Sequence, residues 1–106
     1  MGIEEQQIPS CCCGERTTAR SEEEKQKLLN RLRRIEGQVR GLAAMIGRDA
    51  YCNDVLIQSA AVSAALAAFE RELLSSHIRG CVARDLRDGR DGVVDELLET
   101  LKKLMR

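Results

Sequence analysis

The segment from Asp49 to Asp88 constrains the fold more than any other part of the chain. It contains no proline and a single glycine, Gly80. Its apolar residues recur at nearly the four-three spacing of one helix face: Val55, Val62, Leu66, Phe69 and Leu73. This pattern predicts one unbroken helix of almost forty residues.

Three potential metal donors lie at the two ends of this predicted helix. Cys52 is near its start, whereas His77 and Cys81 are four residues apart near its end and share a face. The 25 residues from Cys52 to His77 span about 37 Å at the rise of an α-helix. One metal ion, with bonds of about 2 to 2.3 Å, cannot contact both ends. If the three residues share an ion, two chains must pack antiparallel, and two-fold symmetry gives two identical sites.

The donor set itself favours Cu(I). Two thiolates and an imidazole, with no carboxylate, suit this soft ion, whereas Zn(II) or Ni(II) would require a fourth donor. One alternative is that His77 and Cys81 simply pack in the core. Another is a Cys81 nucleophile with His77 as its base, but two side chains stacked on one helix form no pocket and no oxyanion-stabilising loop accompanies them. The sequence therefore predicts no enzyme activity.

Two further helices flank the long one. Ser21 and Glu24 fit a capping box at the start of the first helix, and Gly47 ends it. Its apolar stripe is Leu28, Leu32, Ile35, Val39, Leu42 and Ile46. Asp49 is expected to cap the long second helix. A turn at residues 88–92 precedes a short last helix, whose predicted inward-facing residues are Val93, Val94, Leu97, Leu98, Leu101 and Leu104. We predict an all-α, three-helix protomer in which the first two helices form an antiparallel pair.

Composition indicates that this protomer does not act alone. The chain is 43% hydrophobic but only 2% aromatic, so a single-chain core would be thin and oligomerisation is expected. No apolar run approaches about 18 residues and no secretory leader is present, which predicts a soluble, cytoplasmic protein without membrane contact. Five cysteines, an odd number, indicate thiol or metal chemistry rather than a disulfide framework.

Residues 1–20 are predicted to form a flexible tail, and residues 21–106 to form the folded domain. The tail contains three adjacent cysteines, Cys11, Cys12 and Cys13. Consecutive residues cannot easily surround one ion tetrahedrally, so this is no standard zinc motif. The cysteines are interpreted as an exposed, oxidisable tail, with an accessory role in metal capture or thiol exchange as the alternative.

The net charge is zero, but the charges are unevenly distributed. Residues 25–48 contain seven bases and only Glu36 as an acid. Most of these bases are arginines, whose planar guanidinium suits phosphate. The first helix is therefore predicted to contact the DNA backbone, although a solvated basic face that keeps the protein soluble is the alternative.

Three motifs carry a resemblance to a known family: RLRRIEGQVRGL at Arg31–Leu42, YCNDVLIQ at Tyr51–Gln58 and SHIRGCV at Ser76–Val82. They resemble the copper-sensitive operon repressor family, over residues of about 22–106. This resemblance implies a three-helix protomer that assembles as a tetramer, a dimer of dimers. It also implies a protein that binds operator DNA without metal and is released by Cu(I).

The resemblance assigns roles to individual residues. The copper ligands match Cys52 of one chain with His77 and Cys81 of the other. The residues that support these ligands match Tyr51 and a glutamate of the last helix. Glu96 is taken as the candidate glutamate, and the nearby Glu99 stays open because neither aligns cleanly. The predicted DNA-binding residues are Arg31, Arg33, Arg34 and Arg40.

Other members of the family sense nickel–cobalt, formaldehyde or persulfide. Persulfide sensors lack the histidine, whereas His77 is present here. Nickel–cobalt sensors typically have histidine in place of Cys81 and a further N-terminal histidine, and this chain has one histidine in all. Because some nickel sensors share the Cys-His-Cys set, a nickel-responsive repressor is an alternative. A thiol-responsive or persulfide-responsive repressor of the same fold and a copper-buffering protein without DNA function are further alternatives.

Overall fold

The structure is a computed structural model that describes residues 17–105 of the chain. Within that range the chain forms three helices and no strand: α1 (Glu22–Gly47), α2 (Cys52–Arg87) and α3 (Gly92–Leu104). The all-α, three-helix prediction is therefore confirmed. Cys11, Cys12 and Cys13 lie outside the described residues, so their role and most of the predicted tail stay predictions.

The long helix α2 changes its geometry near its end. It is α-helical over Cys52–His77, π-helical over Ile78–Val82 and α-helical again over Ala83–Arg87. The predicted long helix is confirmed, with ends a few residues inside those expected, but the π-helical turn was not predicted. Such a turn, with hydrogen bonds from residue i to i+5, occurs frequently at functional sites. Here it contains Cys81.

The prediction that Asp49 caps α2 is wrong, because Asp49 ends α1 instead. Its φ of 55° places it in the left-handed region. The Ala50 amide donates to the Met45 carbonyl at 2.9 Å, and the Asp49 amide donates to the Ile46 carbonyl at 3.1 Å. These two bonds form a Schellman motif, in which the left-handed residue follows the helix end. The N-cap of α2 is Tyr51, whose side chain makes no capping bond.

The end of α2 repeats this motif with glycine. Gly89 has a φ of 82° and donates its amide to the Leu86 carbonyl at 3.0 Å. The Arg90 amide donates to the Asp85 carbonyl at 2.8 Å. The predicted turn at residues 88–92 is confirmed, and its glycine meets a real conformational requirement because a Cβ is strained at positive φ.

A polar contact between residues far apart in sequence fixes the pairing of α1 and α2. Ser76 Oγ, near the end of α2, donates to Glu24 Oε2, in the first turn of α1, at 2.7 Å. The helices are therefore antiparallel, as predicted. Ser21 caps α1 by accepting the Glu24 amide at 3.1 Å. The predicted capping box is only half formed, since the Glu24 carboxylate turns to Ser76 rather than back to Ser21.

The apolar stripe of α1 divides into two rows. Leu28 and Ile35 are buried against the rest of the chain, and Leu42 is half-buried. The alternate members are far more open, with exposures of 37% for Leu32, 50% for Val39 and 63% for Ile46. Residues 17–105 therefore cover only half of the heptad pattern and leave the second row exposed.

The first half of α2 is also apolar and open. Its most apolar window of 18 residues has a mean hydropathy of 1.4, and none of that window is buried within the chain. By length and composition α2 could cross a membrane, although it contains no uninterrupted apolar run of about 18 residues, as expected. Core helices of soluble proteins can be equally long and apolar.

The last helix buries less than predicted. Val93 is buried, but Val94 is 41% and Leu98 50% exposed. Among the described residues no side chain is completely buried. This bears out the expectation of a thin core within residues 17–105.

Candidate metal centre and nucleic-acid interface

The three predicted metal donors are separated along α2. Cys52 is the first residue of α2, and His77 is the last residue before its π-helical turn. A helical rise of about 1.5 Å per residue puts them roughly 37 Å apart. Across residues 17–105, no three His, Cys, Asp or Glu side chains of one chain come together to hold an ion. A site that uses all three donors therefore requires a second chain.

His77 and Cys81 lie one turn apart where α2 becomes π-helical. His77 is half-buried and Cys81 is only 6% exposed. The Cys81 thiol donates to the Thr18 hydroxyl, with 3.6 Å between Sγ and Oγ1. Sequence reasoning missed Thr18, because the contact joins residues 63 positions apart and no local pattern signals it.

Cys52 and Tyr51 occupy the opposite, open end of α2. Cys52 is exposed and Tyr51 is 73% exposed. Neither side chain is covered by residues 17–105, so each is accessible to a second copy of this part of the chain. This exposure is what an inter-chain ligand requires, since the sulfur must approach donors carried by another polypeptide.

The two candidate glutamates, Glu96 and Glu99, both lie on α3. The Glu99 carboxylate pairs with Lys102 at 3.2 Å. The Glu96 carbonyl accepts the Thr100 hydroxyl at 3.2 Å. Neither glutamate joins His77 and Cys81 in a group of three potential ligands within the described chain. The assignment of Glu96 therefore stays a prediction.

The predicted DNA-binding arginines differ in their surroundings. Arg33, Arg34 and Arg40 are exposed, whereas Arg31 is half-buried. Arg33 and Arg40 are seven residues apart and therefore lie on one face of α1. Arg40 pairs at 3.5 Å with Glu36, the one acid of residues 25–48, so its charge is partly compensated.

Within residues 17–105, the Arg33 guanidinium donates to a neutral amide, Asn30 Oδ1, at 3.3 Å and forms no ion pair. An amide leaves the positive charge of Arg33 uncompensated, so this side chain keeps its full attraction for a phosphate. Of the two arginines on this face, Arg33 is thus the better candidate for contact with the DNA backbone.

Comparison with known proteins identifies relatives over most of the chain. Residues 24–103 match the family model described as metal-sensitive transcriptional repressor. The copper-sensing transcriptional repressor CsoR of Bacillus subtilis is 44% identical over 89 residues, which cover 82% of this chain and 87% of the relative.

Solved structures agree. The copper-sensing repressor CsoR with Cu(I) from Geobacillus thermodenitrificans superposes with a TM-score of 0.81 at 37% identity, covering 85% of this chain and 95% of the other. The nickel-responsive transcriptional regulator InrS gives a TM-score of 0.67 at 40% identity, covering 81% and 98%. The family match in sequence extends from α1 into α3, and the chain therefore belongs to the metal-sensitive transcriptional repressor family, a class of regulators rather than of enzymes.

Proposed function

We propose that this protein is a Cu(I)-responsive repressor, which binds operator DNA in its metal-free form and is released when Cu(I) binds. The observation that carries the proposal is the separation of two thiols and one imidazole at opposite ends of an exposed, apolar helix. The two relatives named as copper sensors support it.

The nickel-responsive relative offers the second candidate, and two measures of similarity disagree about it. The sequence identity of InrS to this chain is slightly higher than that of the Geobacillus CsoR, 40% against 37%. Its TM-score is lower, 0.67 against 0.81. We weigh the donor chemistry more heavily than either number. Two thiolates and one imidazole match the three-coordinate, sulfur-rich sites that Cu(I) accepts, whereas Ni(II) would require a fourth donor.

The residues present fit Cu(I). His77 and Cys81 of one protomer and the partner subunit's Cys52 would hold it, so that the ion, when bound, links two chains through soft ligands. The exposed apolar length of α2 between these ends gives the two chains a packing surface. Antiparallel packing along α2 would place each Cys52 at the end of α2 that carries His77 and Cys81 in the other chain.

The contact between Ser76 and Glu24 provides a route from this site to α1. Ser76 directly precedes His77, and its hydrogen bond holds the first turn of α1 against the end of α2. A reorientation of this end of α2 relative to the partner chain therefore carries α1 with it, together with Arg33 and Arg34. The expected coupling free energy is about 1–3 kcal/mol, or about 5- to 150-fold in DNA affinity.

A homodimer, and a tetramer built from two dimers, is part of the proposal. The outward row of Leu32, Val39 and Ile46 on α1 supports it, because it is a second apolar seam that one chain leaves open. The apolar window of α2 is a separate open surface. Two distinct surfaces are what a dimer of dimers needs.

A DNA titration tests the function. Duplexes selected from a random pool by the metal-free protein would serve as the probe, and binding would be followed by fluorescence anisotropy without oxygen. We expect affinity to fall at least about fivefold at saturating Cu(I), and the metal-free complex to weaken steeply with salt. Equal affinity with and without Cu(I) would refute the repressor mechanism. A response to Ni(II) alone would favour the nickel alternative.

Mixing two variants tests whether the site is shared between chains. Cys52→Ser and Cys81→Ser homo-oligomers should each lose tight Cu(I) binding. Random mixing should then restore about one quarter of the wild-type sites, because half of the dimers are mixed and each mixed dimer keeps one complete site. No recovery after denaturation and joint refolding would show that the ligands come from a single chain.

A copper-buffering protein without DNA function would give a different result. It would bind Cu(I) with the same stoichiometry but show no salt-dependent affinity for duplex DNA. The salt titration therefore separates the two classes without knowledge of the operator.

A further inference from the structure

A groove of about 660 Å³ lies between the segment that precedes α1 and the end of α2. Three arginines of α2 line it: Arg79, Arg84 and Arg87. All three are exposed, and Arg79 belongs to the π-helical turn that contains Cys81. The arginines that the sequence predicted to bind DNA all lie on α1, so this second group of arginines has no role in that prediction.

The π-helical turn explains why these arginines share one groove. In an uninterrupted α-helix of about 3.6 residues per turn, residues five apart point about 140° away from each other. Arg79 and Arg84 are five residues apart and would therefore lie on different faces. A π-helical turn closes its hydrogen bonds over five residues instead of four. It therefore brings Arg84, and with it Arg87 in the next turn, to the side of α2 that carries Arg79.

The register of α1 and α2 separates the arginines from most of the acidic residues of the groove. The hydrogen bond from Ser76 to Glu24 fixes this register. Residues that precede Ser76, such as Glu72, lie beside residues that follow Glu24, such as Lys27. Residues that follow Ser76 lie beside the segment before α1, whose lining residues are uncharged: Thr18, Ala19 and Ser21. Among the lining residues, Glu23 is the acid nearest to the arginine end of the groove.

Most of the arginine charge is uncompensated within residues 17–105. Arg84 Nε lies 3.6 Å from Oδ1 of the buried Asp85, so the charge of Arg84 is partly balanced. Arg79 and Arg87 form no ion pair in this part of the chain. Like charges that share a groove repel one another, and an anion between them is attracted by each. Because guanidinium groups form strong, often bidentate hydrogen bonds with phosphate, a phosphate group is the expected guest.

Lys27 connects this groove with the predicted DNA-binding face of α1. Lys27 lines the groove, and Arg34 is an exposed residue of the same helix. Because they are seven residues apart, they lie on one face of α1, about 10 Å apart along its axis. The chain belongs to a family of transcriptional repressors. The phosphates that would lie beside this face are therefore those of a DNA backbone.

We propose that Arg79, Arg84 and Arg87 form a second phosphate-contact site for duplex DNA, aligned by the π-helical turn. This inference rests on the proposed repressor function and extends its DNA surface from α1 to the end of α2. Contacts to phosphates position the duplex and carry no sequence information directly. The site also places a DNA contact two residues from each of the proposed copper ligands His77 and Cys81.

Salt titrations of the metal-free protein test the site. The variants are Arg79→Ala, Arg87→Ala and the two together, and binding to duplex DNA is followed by fluorescence anisotropy. Each lost phosphate contact should reduce the slope of log affinity against log salt by about 1. With a slope of about 0.9 per phosphate, each loss should weaken binding about eightfold at about 0.1 M salt, and the double variant should lose about 60-fold. Arg84→Ala should have a smaller effect, because Arg84 is paired with Asp85.

Two controls separate a phosphate contact from a general effect of charge or of folding. Arg71→Ala removes an exposed arginine of α2 that does not line the groove, and it should leave the slope unchanged. The double variant Arg79→Lys/Arg87→Lys should keep the slope of the wild type, because the slope counts the charges in contact with phosphates. Circular dichroism should show the same helix content in all variants, since every substituted side chain is exposed.

The outcomes separate this inference from the proposed function. If the wild type binds DNA but the double alanine variant titrates like Arg71→Ala, the second site is refuted and the repressor stands. If the lysine variant loses as much slope as the alanine variant, the arginines do not act through charge and the site is refuted. The loss should be equal on a selected duplex and on an unrelated duplex of the same length, and a loss confined to the selected duplex would refute the phosphate assignment. If the metal-free wild type binds no duplex DNA, both proposals fail.

Discussion

The hydrogen bond between Ser76 and Glu24 yields a prediction that can be tested as a double-mutant cycle. The perturbations are Ser76→Ala, Glu24→Ala and the two together. Ser76 Oγ and Glu24 Oε2 are 2.7 Å apart in a partly buried contact that spans 52 residues of sequence. This contact is a direct polar link between the end of α2 that carries His77 and the first turn of α1.

The structure sets the size of the expected coupling. A hydrogen bond to a charged group contributes about 1.5–3 kcal/mol when well shielded. Both residues here are only half-buried, so water competes for the contact and about 1 kcal/mol is the appropriate expectation. Glu24→Ala also removes an acid from the first turn of α1, which costs about 0.3–1 kcal/mol through the helix dipole. That cost is present whether or not Ser76 is mutated, so the cycle cancels it.

Urea unfolding followed by circular dichroism measures the cycle. All proteins must be compared at one protomer concentration, because assembly contributes to apparent stability. Ser75→Ala is the matched control, since Ser75 is equally half-buried but forms no side-chain hydrogen bond in the described part of the chain. A coupling below about 0.3 kcal/mol, the usual limit of additivity for independent sites, would show that the contact does not join the helices in solution.

Three further predictions address the turns, the open seam and the arginine face. Gly89→Ala should destabilise the protein by about 1 kcal/mol because φ is positive there, whereas Asp49→Gly should stabilise it by up to about 1 kcal/mol. Urea unfolding measures both changes in the free energy of unfolding. The same sign for both would contradict the Schellman assignment. Val39→Glu should lower the oligomeric state in sedimentation at micromolar concentration without loss of helix content, and an unchanged mass would show that the outward row of α1 is not an interface. Arg33→Ala should weaken DNA binding and reduce the slope of log affinity against log salt by about 1, while Arg40→Ala, whose charge is paired with Glu36, should have a smaller effect.

Local patterns were sufficient to predict the helices. Ser21 starts α1 and Gly47 is its last residue, as expected. The long helix and its antiparallel neighbour followed from apolar periodicity, which reports directly which face of a helix is buried. The failure at Asp49 has a physical reason. An aspartate between two helices satisfies the rules for an N-cap and for a left-handed C-terminal residue equally well, and only the backbone angle of 55° distinguishes them.

The candidate site was predicted only in part. The order and separation of Cys52, His77 and Cys81 were sufficient to show that one chain cannot close a three-donor site, because helical rise is fixed. The contact of Cys81 with Thr18 gave no such signal, since it joins an unpatterned segment to a helix 63 residues away. The π-helical turn around Cys81 was equally invisible, as no residue type specifies it.

The sequence by itself thus determined the helical class, the length of α2 and the separation of its metal donors, because these depend on periodicity and on covalent rise per residue. The tertiary structure alone decided which surfaces remain open. It buried Leu28 and Ile35 while leaving Val39 and Ile46 exposed, and it turned the Cys81 thiol toward Thr18. A heptad stripe predicts that its residues are buried, but it does not predict whether their own chain or another chain buries them. Both kinds of burial remove the same apolar surface from water and therefore lower the free energy alike.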